Sequence, residues 1–67
     1  MLTVFIQSYD AHFDTFACNF TTDDTTFDSL IPATMMPYVA PEQCAECEDL
    51  PYDLVGKTFT MSLPTAL

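Results

Sequence analysis

The chain has 67 residues, of which ten are Asp or Glu and only one is Lys or Arg, so its formal net charge is -9. This charge disfavours direct binding to nucleic acid or to an anionic membrane, because both of those surfaces are themselves negative. Almost half of the residues, 49%, are hydrophobic, which is too apolar for a disordered acidic tail and indicates a folded domain.

The first third of the chain predicts a β-hairpin. Residues 2–9 are rich in β-branched and aromatic residues, which favour a pleated, half-buried strand. A second strand is predicted over residues 12–21, where Phe16, Cys18 and Phe20 alternate onto one face. The Asp-Ala pair between the two strands suits a tight turn.

A short helix is predicted over residues 25–31. Thr25 and Asp28 have the spacing of a capping box, in which each side chain bonds the other residue's backbone. Pro32 is expected to end this helix, because proline cannot continue it. The proline-punctuated residues 33–40 are expected to form an irregular apolar loop over the core.

A second helix and a second hairpin complete the predicted fold. Residues 41–49 begin with proline, which suits the first helical position, and another proline soon after blocks a longer helix. The second hairpin is predicted over residues 52–55 and 57–63, around Gly56. The chain is therefore expected to be one small acidic domain over residues 1–67, of α+β class, with an antiparallel sheet of two hairpins and one or two short helices.

The second predicted helix carries Cys44 and Cys47, whose C-x-x-C spacing allows two thiolates to share one tetrahedral metal ion. Cys18 and His12 are the other Cys and His of the chain, so a zinc site with three cysteines and one histidine is an alternative. On a helix, however, the paired cysteines continue an apolar stripe that begins at Ala40. The stripe is favoured, since strong zinc patterns contain two such cysteine pairs. No cofactor is therefore expected.

The acids offer the more informative pattern. Glu42, Glu46 and Asp49 would lie at i, i+4 and i+7 on one face of the predicted helix, with the first two about 6 Å apart at about 1.5 Å per residue. This separation is close to the phosphate spacing of a nucleic-acid strand. Either the acids form an ordinary solvated surface, or they imitate a polyanion. The candidate partner-binding residues are Glu42, Glu46, Asp49, Asp53, Asp23, Asp24, Asp28, Asp10 and Asp14.

The sequence contains no recognisable catalytic motif, and a non-enzyme is expected. Gly56, Lys57 and Thr58 lack the upstream glycine of a phosphate-binding loop. The first residues lack the basic segment and cleavage site of a signal peptide, and three cysteines fit a disulfide scaffold poorly. A reducing cytoplasm is the expected compartment.

In being short, acidic, almost free of Lys and Arg and rich in aromatic residues, the chain resembles phage-encoded DNA-mimic inhibitors as a class. The resemblance implies a cytoplasmic inhibitor or adaptor that docks on a basic, nucleic-acid-binding protein of the host, such as a target of anti-CRISPR or anti-restriction proteins. Two alternatives stay open. One is a zinc-stapled structural domain; the other is a homodimeric structural module whose apolar surface supplements a small core.

Overall fold

The computed structural model describes residues 1–62, in which an antiparallel sheet is covered on one face by short helical segments. The strands are β1 (Leu2–Asp10), β2 (Thr15–Thr21), β3 (Thr26–Pro32) and β4 (Thr58–Met61). Between β3 and β4 lie a 3₁₀ turn (Ala33–Met35), α1 (Met36–Val39), α2 (Pro41–Glu46) and a second 3₁₀ turn (Tyr52–Leu54). The sheet order is β3-β2-β1-β4, which confirms the predicted α+β class.

The core lies between the sheet and the helical segments. Every second residue points into it along β2 and along β1 as far as Ile6, after which the register of β1 shifts. Met36, Ala40 and Leu54 cover this face of the sheet from the other side. The buried residues that the strands contribute are Leu2, Val4, Ile6, Phe16, Cys18, Phe20, Ile31 and Phe59.

The first predicted hairpin is confirmed, although its turn is longer than expected. β1 and β2 pair antiparallel, and β2 begins at Thr15 rather than at residue 12. His12 therefore lies in the turn, not on a strand. The Asp10 carboxylate accepts the His12 backbone N–H at 2.8 Å. Asp14 has a φ of 53°, a left-handed conformation that aspartate tolerates better than most residues.

The helix predicted over residues 25–31 is wrong, because this segment is the edge strand β3. The Thr22 N–H donates to the Thr25 carbonyl at 2.8 Å, so the threonines close a turn between β2 and β3 instead of capping a helix. Phe20 and Phe27 then stack across the two strands with ring centroids 5.3 Å apart. A short isolated helix is marginal in water, and pairing with the apolar β2 outweighs its local capping signal.

The second predicted hairpin is wrong in its pairing. Residues 52–55 contain a 3₁₀ turn, and β4 pairs with β1 instead. Gly56, with a φ of 92°, donates its N–H to the Ile6 carbonyl at 2.8 Å and so directs the chain along β1. β1 offers a long free edge, whereas Leu54 turns inward to the core. Leu63, the last residue of the predicted strand, lies outside the described residues.

The prolines of the middle segment begin helices rather than interrupt them. Residues 33–40, expected to be irregular, form a 3₁₀ turn and α1, and a proline occupies the first turn of α1 and of α2. Proline suits these positions because its missing N–H would have no helical partner there. The helix predicted over residues 41–49 is shorter than expected. It ends at Glu46, and Cys47 is extended.

Candidate protein-docking surface

Every one of the ten acidic side chains is exposed, and the core that the described residues form contains no charged group. Among residues 1–62, Lys57 forms an ion pair with Glu46, in which Nζ lies 4.0 Å from Oε2. Exposed pairs of this kind stabilise a protein by about 1 kcal/mol at most. The other acids have no Lys or Arg of their own chain to pair with, so solvent cations or a partner must balance their charge.

The sheet places acids at both of its ends. Asp10 ends β1 and Asp14 lies in the turn that follows it, whereas Asp23 and Asp24 lie in the turn between β2 and β3. β2 has 7 residues. At about 3.3 Å per residue, the two turns are roughly 20 Å apart. The two pairs therefore belong to separate surfaces.

Tyr9 links a second acidic segment to the first of these turns. Its hydroxyl donates a hydrogen bond to Asp14, and its ring meets the ring of Tyr52 edge to face, with centroids 5.4 Å apart. Asp14, Leu50 and Pro51 also line one cavity, which confirms that the two segments adjoin. We call residues 9–14 and 48–53 the Tyr9 end. Its acids are Asp10, Asp14, Glu48, Asp49 and Asp53.

Three of these acids accept hydrogen bonds from other residues of the Tyr9 end. Asp10 accepts N–H groups of the turn, and Asp14 accepts the Tyr9 hydroxyl. Asp53 Oδ2 accepts the N–H of Glu48 at 3.2 Å and of Asp49 at 2.9 Å. In the described part of the chain, the carboxylates of Glu48 and Asp49 have no hydrogen bond, so they are the groups best placed to meet a partner.

The acidic row predicted on the second helix does not form as one row. Glu42 and Glu46 lie on α2, but Asp49 lies beyond its end, beside Asp53. Asp28 is separate from both groups. It lies on β3, where the side-chain amide of Asn19 donates to its carboxylate at 3.1 Å.

Exposed apolar side chains accompany the acids of the Tyr9 end. Phe13 is 70% exposed, and Leu50 and Tyr52 are exposed as well. No pattern in the sequence singled out these residues. The signal that could have found Phe13 is its position in an Asp-Ala-His-Phe-Asp turn, where an aromatic side chain has no core to enter. Large apolar groups beside charges are typical of protein-binding surfaces.

The alternative zinc ligands lie in different environments. Cys18 is buried in the core, where desolvation raises its pKa to about 11, whereas His12 lies on an exposed turn with its ring against Phe13. Cys44 and Cys47 pack against the edge of the core, and desolvation together with the neighbouring Cys47 raises the pKa of Cys44. Within the described residues, no group of three or more His, Cys, Asp and Glu side chains is arranged to hold a metal ion.

Two of the concavities on the described surface lie against the sheet. The first, of about 190 Å³, is mainly apolar and lies between the sheet and the helical segments. The first concavity is therefore smaller than the sites of drug-sized ligands, which usually have volumes of about 300–1,000 Å³. The second, of about 550 Å³, is a groove on the uncovered face of the sheet, lined by Ser8, Asp10, Phe13, Thr15, Ala17 and Leu30.

The pKa of Tyr9 gives a direct test of the Tyr9 end. The hydrogen bond to Asp14, desolvation and nearby negative charge together raise this pKa from 10.0 to about 12. Because the folded-state value exceeds the unfolded one, the stabilisation is complete below pH 10 and is lost as the pH rises towards about 12. We expect a phenolate absorbance titration to show a late step that Tyr9→Phe removes and Tyr38→Phe retains. A wild-type titration without that late step would contradict the Tyr9–Asp14 contact.

The fold and the surface define a small, acidic, antiparallel-sheet α+β protein with an exposed acidic and aromatic end. Comparisons with protein-family models, with curated protein sequences and with solved structures find no match. Among the described residues, no helix has the length and apolar character needed to cross a membrane. The function is therefore inferred from the chemistry of the surface.

Proposed function

We propose that this protein is a small inhibitor or adaptor that docks on a basic protein surface, that of a nucleic-acid-binding protein. The observation that carries the proposal is the exposure of all ten acids beside a single Lys or Arg. A surface with this charge attracts a basic groove over long distances and speeds association at low salt. The same charge repels nucleic acid itself, so the partner is a protein.

The Tyr9 end is the part of the surface that best suits such docking. Glu48 and Asp49 offer free carboxylates, and the hydrogen bonds of Asp53 hold their backbone in place. Phe13 and Tyr52 supply exposed aromatic area beside them. Carboxylates select lysine and arginine, while buried aromatic anchors supply much of the affinity of protein interfaces. A surface that is already ordered also loses less entropy on binding.

The proposed mode of action is occupation of a groove that normally holds phosphates. The partner would be a nuclease, a restriction or CRISPR effector, a repair enzyme or a polymerase, and the protein a phage-type counter-defence inhibitor in the cytoplasm of the host cell. Cys18, Cys44 and Cys47 are free thiols, which suits a reducing compartment.

Affinity capture with competition by DNA tests this proposal. The immobilised full chain is incubated with host lysate at low salt, and bound proteins are eluted with salt or with duplex DNA. Basic proteins that either eluent releases are the expected result, because DNA and the acidic surface would occupy the same groove. A neutral polymer serves as the control eluent. Failure to recover any protein that DNA displaces would overturn the proposal.

A further inference from the structure

The two edges of the described sheet differ in how they are protected. β4 is short, with 4 residues, and the Gln43 side-chain amide donates to the Thr58 carbonyl at 3.4 Å, so α2 partly covers this edge. β3 has 7 residues, and all of them except Ile31 are exposed. Natural proteins usually protect such an edge with lysine, a bulge or a covering element.

Two hydrogen bonds fix which backbone groups of β3 face outward. At one end the Thr22 N–H donates to the Thr25 carbonyl at 2.8 Å, and at the other the Ala33 N–H donates to the Asp14 carbonyl at 2.9 Å. Between them the register of β2 and β3 continues without a shift. In an antiparallel ladder, hydrogen-bonded and non-hydrogen-bonded pairs alternate. The hydrogen bonds at the two ends of β3 therefore agree on the phase of this alternation, that is, on which residues of β3 bond β2.

This phase divides β3 into two sets of residues. The N–H and C=O groups that bond β2 belong to Phe27, Ser29 and Ile31. The groups that point away from the sheet belong to Thr26, Asp28 and Leu30. Pro32, which has no N–H, falls on an outward position, where β2 loses no hydrogen bond.

The side chains beside this edge favour one kind of occupant. Asp28 presents a carboxylate that Asn19 holds in place. Leu30 is 65% exposed on the same face, next to the open groove, and Phe27 is 46% exposed on the opposite face. A basic side chain opposite Asp28 would satisfy its charge, and the alkyl part of the next basic side chain on that face would cover Leu30. Apolar side chains on the opposite face would cover Phe27.

We propose that the outer edge of β3 binds an extended segment of a partner protein, rich in alternating basic and apolar residues, as an additional strand. The inference rests on the proposed function for the basic character of the partner. A second copy of the chain is the poorer occupant, because two molecules of charge -9 repel each other. Two-fold pairing centred on Asp28 would also place that carboxylate opposite its own copy.

Amide hydrogen exchange of the labelled full chain tests the proposal with a defined probe. The probe is an end-blocked peptide of alternating lysine and valine. In the free protein the outward N–H groups of Thr26, Asp28 and Leu30 exchange fast, while those of Phe27 and Ile31 are protected. The peptide is expected to slow exchange of the outward set at least about tenfold, because they then bond a neighbouring strand.

The matched control is the same lysine-valine peptide with every backbone nitrogen methylated, which keeps the charge but removes all of the N–H groups and blocks close approach to the strand edge. We expect it to bind about tenfold more weakly and to protect none of the outward groups. On the protein side, Leu30→Pro removes one outward N–H and no bond to β2. Its circular dichroism is expected to match that of the wild type, and its affinity for the lysine-valine peptide to fall about tenfold.

Three results would overturn the edge proposal. Equal binding of both peptides without protection of β3 would show that charge alone attracts them. The proposed docking of this protein on a basic protein surface would then be unaffected. Binding of neither peptide would exclude an occupant of this chemistry. Concentration-dependent protection of the outward groups without peptide would assign the edge to a second copy. The capture experiment with DNA competition tests the proposed function separately.

Discussion

Replacement of Phe16 by alanine is expected to lower the free energy of unfolding by about 3–5 kcal/mol. Phe16 has no exposed surface and lies on the inner strand β2, opposite Tyr9 on β1 and Ile31 on β3. Its ring centroid lies 4.9 Å from that of Tyr9. The substitution therefore removes contacts with both neighbouring strands and leaves a cavity that the small core cannot readily close.

The size of this loss matters because the domain has little stability to spare. A core of this size rarely provides more than about 3–5 kcal/mol without a metal or a disulfide. All three cysteines are free. We expect Phe16→Ala to be largely unfolded in water, as measured by circular dichroism. Phe16→Leu, which keeps most of the buried volume, is expected to give a complete urea transition at a lower midpoint.

Phe13→Ala is the matched control, since it deletes the same side chain from an exposed turn. We expect it to change the free energy of unfolding by no more than about 0.5 kcal/mol. If Phe16→Ala unfolded at the same urea concentration as the wild type, the assignment of Phe16 to the centre of the core would be wrong.

Alternation in the sequence predicted the strands best where one face is buried. Phe16, Cys18 and Phe20 point into the core as expected, because a strand has only two faces and the apolar one must be covered. The helix predicted from Thr25 and Asp28 failed for the opposite reason. Its signal was local, and the pairing of β3 with β2 that overrides it depends on residues elsewhere in the chain.

The acidic surface was predictable in composition but not in arrangement. The predicted helix extended to residue 49 and therefore placed Asp49 on the same face as Glu42 and Glu46. In the structure the helix ends at Glu46. The contact of Tyr9 with Tyr52 then brings the segment of Asp49 to the first turn. Such a contact joins residues far apart in sequence, so no local pattern reveals it.

Reversal of two acids at the Tyr9 end is expected to weaken partner binding about 10- to 100-fold. Glu48 and Asp49 are the suitable pair, because their side chains are exposed and make no hydrogen bond to the described residues. Their backbone N–H groups, which Asp53 holds, remain in place. Glu48→Lys with Asp49→Lys therefore changes the charge that a basic groove meets while leaving the loop intact.

The second turn offers a control of equal charge. Asp23→Lys with Asp24→Lys also reverses two neighbouring exposed acids, so each double variant has a formal net charge of -5 instead of -9. The two sites are roughly 20 Å apart along the sheet. Recovery of the DNA-displaced partner from lysate at low salt is then compared for the two variants and the wild type.

The comparison separates a specific surface from overall charge. If the Tyr9 end is the docking surface, the first double variant loses recovery, while the second loses only the smaller part that long-range attraction contributes. Raising the salt concentration should narrow the difference between the wild type and the second variant, because salt screens distant charges more than contacting ones. Equal losses in both variants would show that the partner responds to net charge alone, and the Tyr9 end would then have no special part in binding.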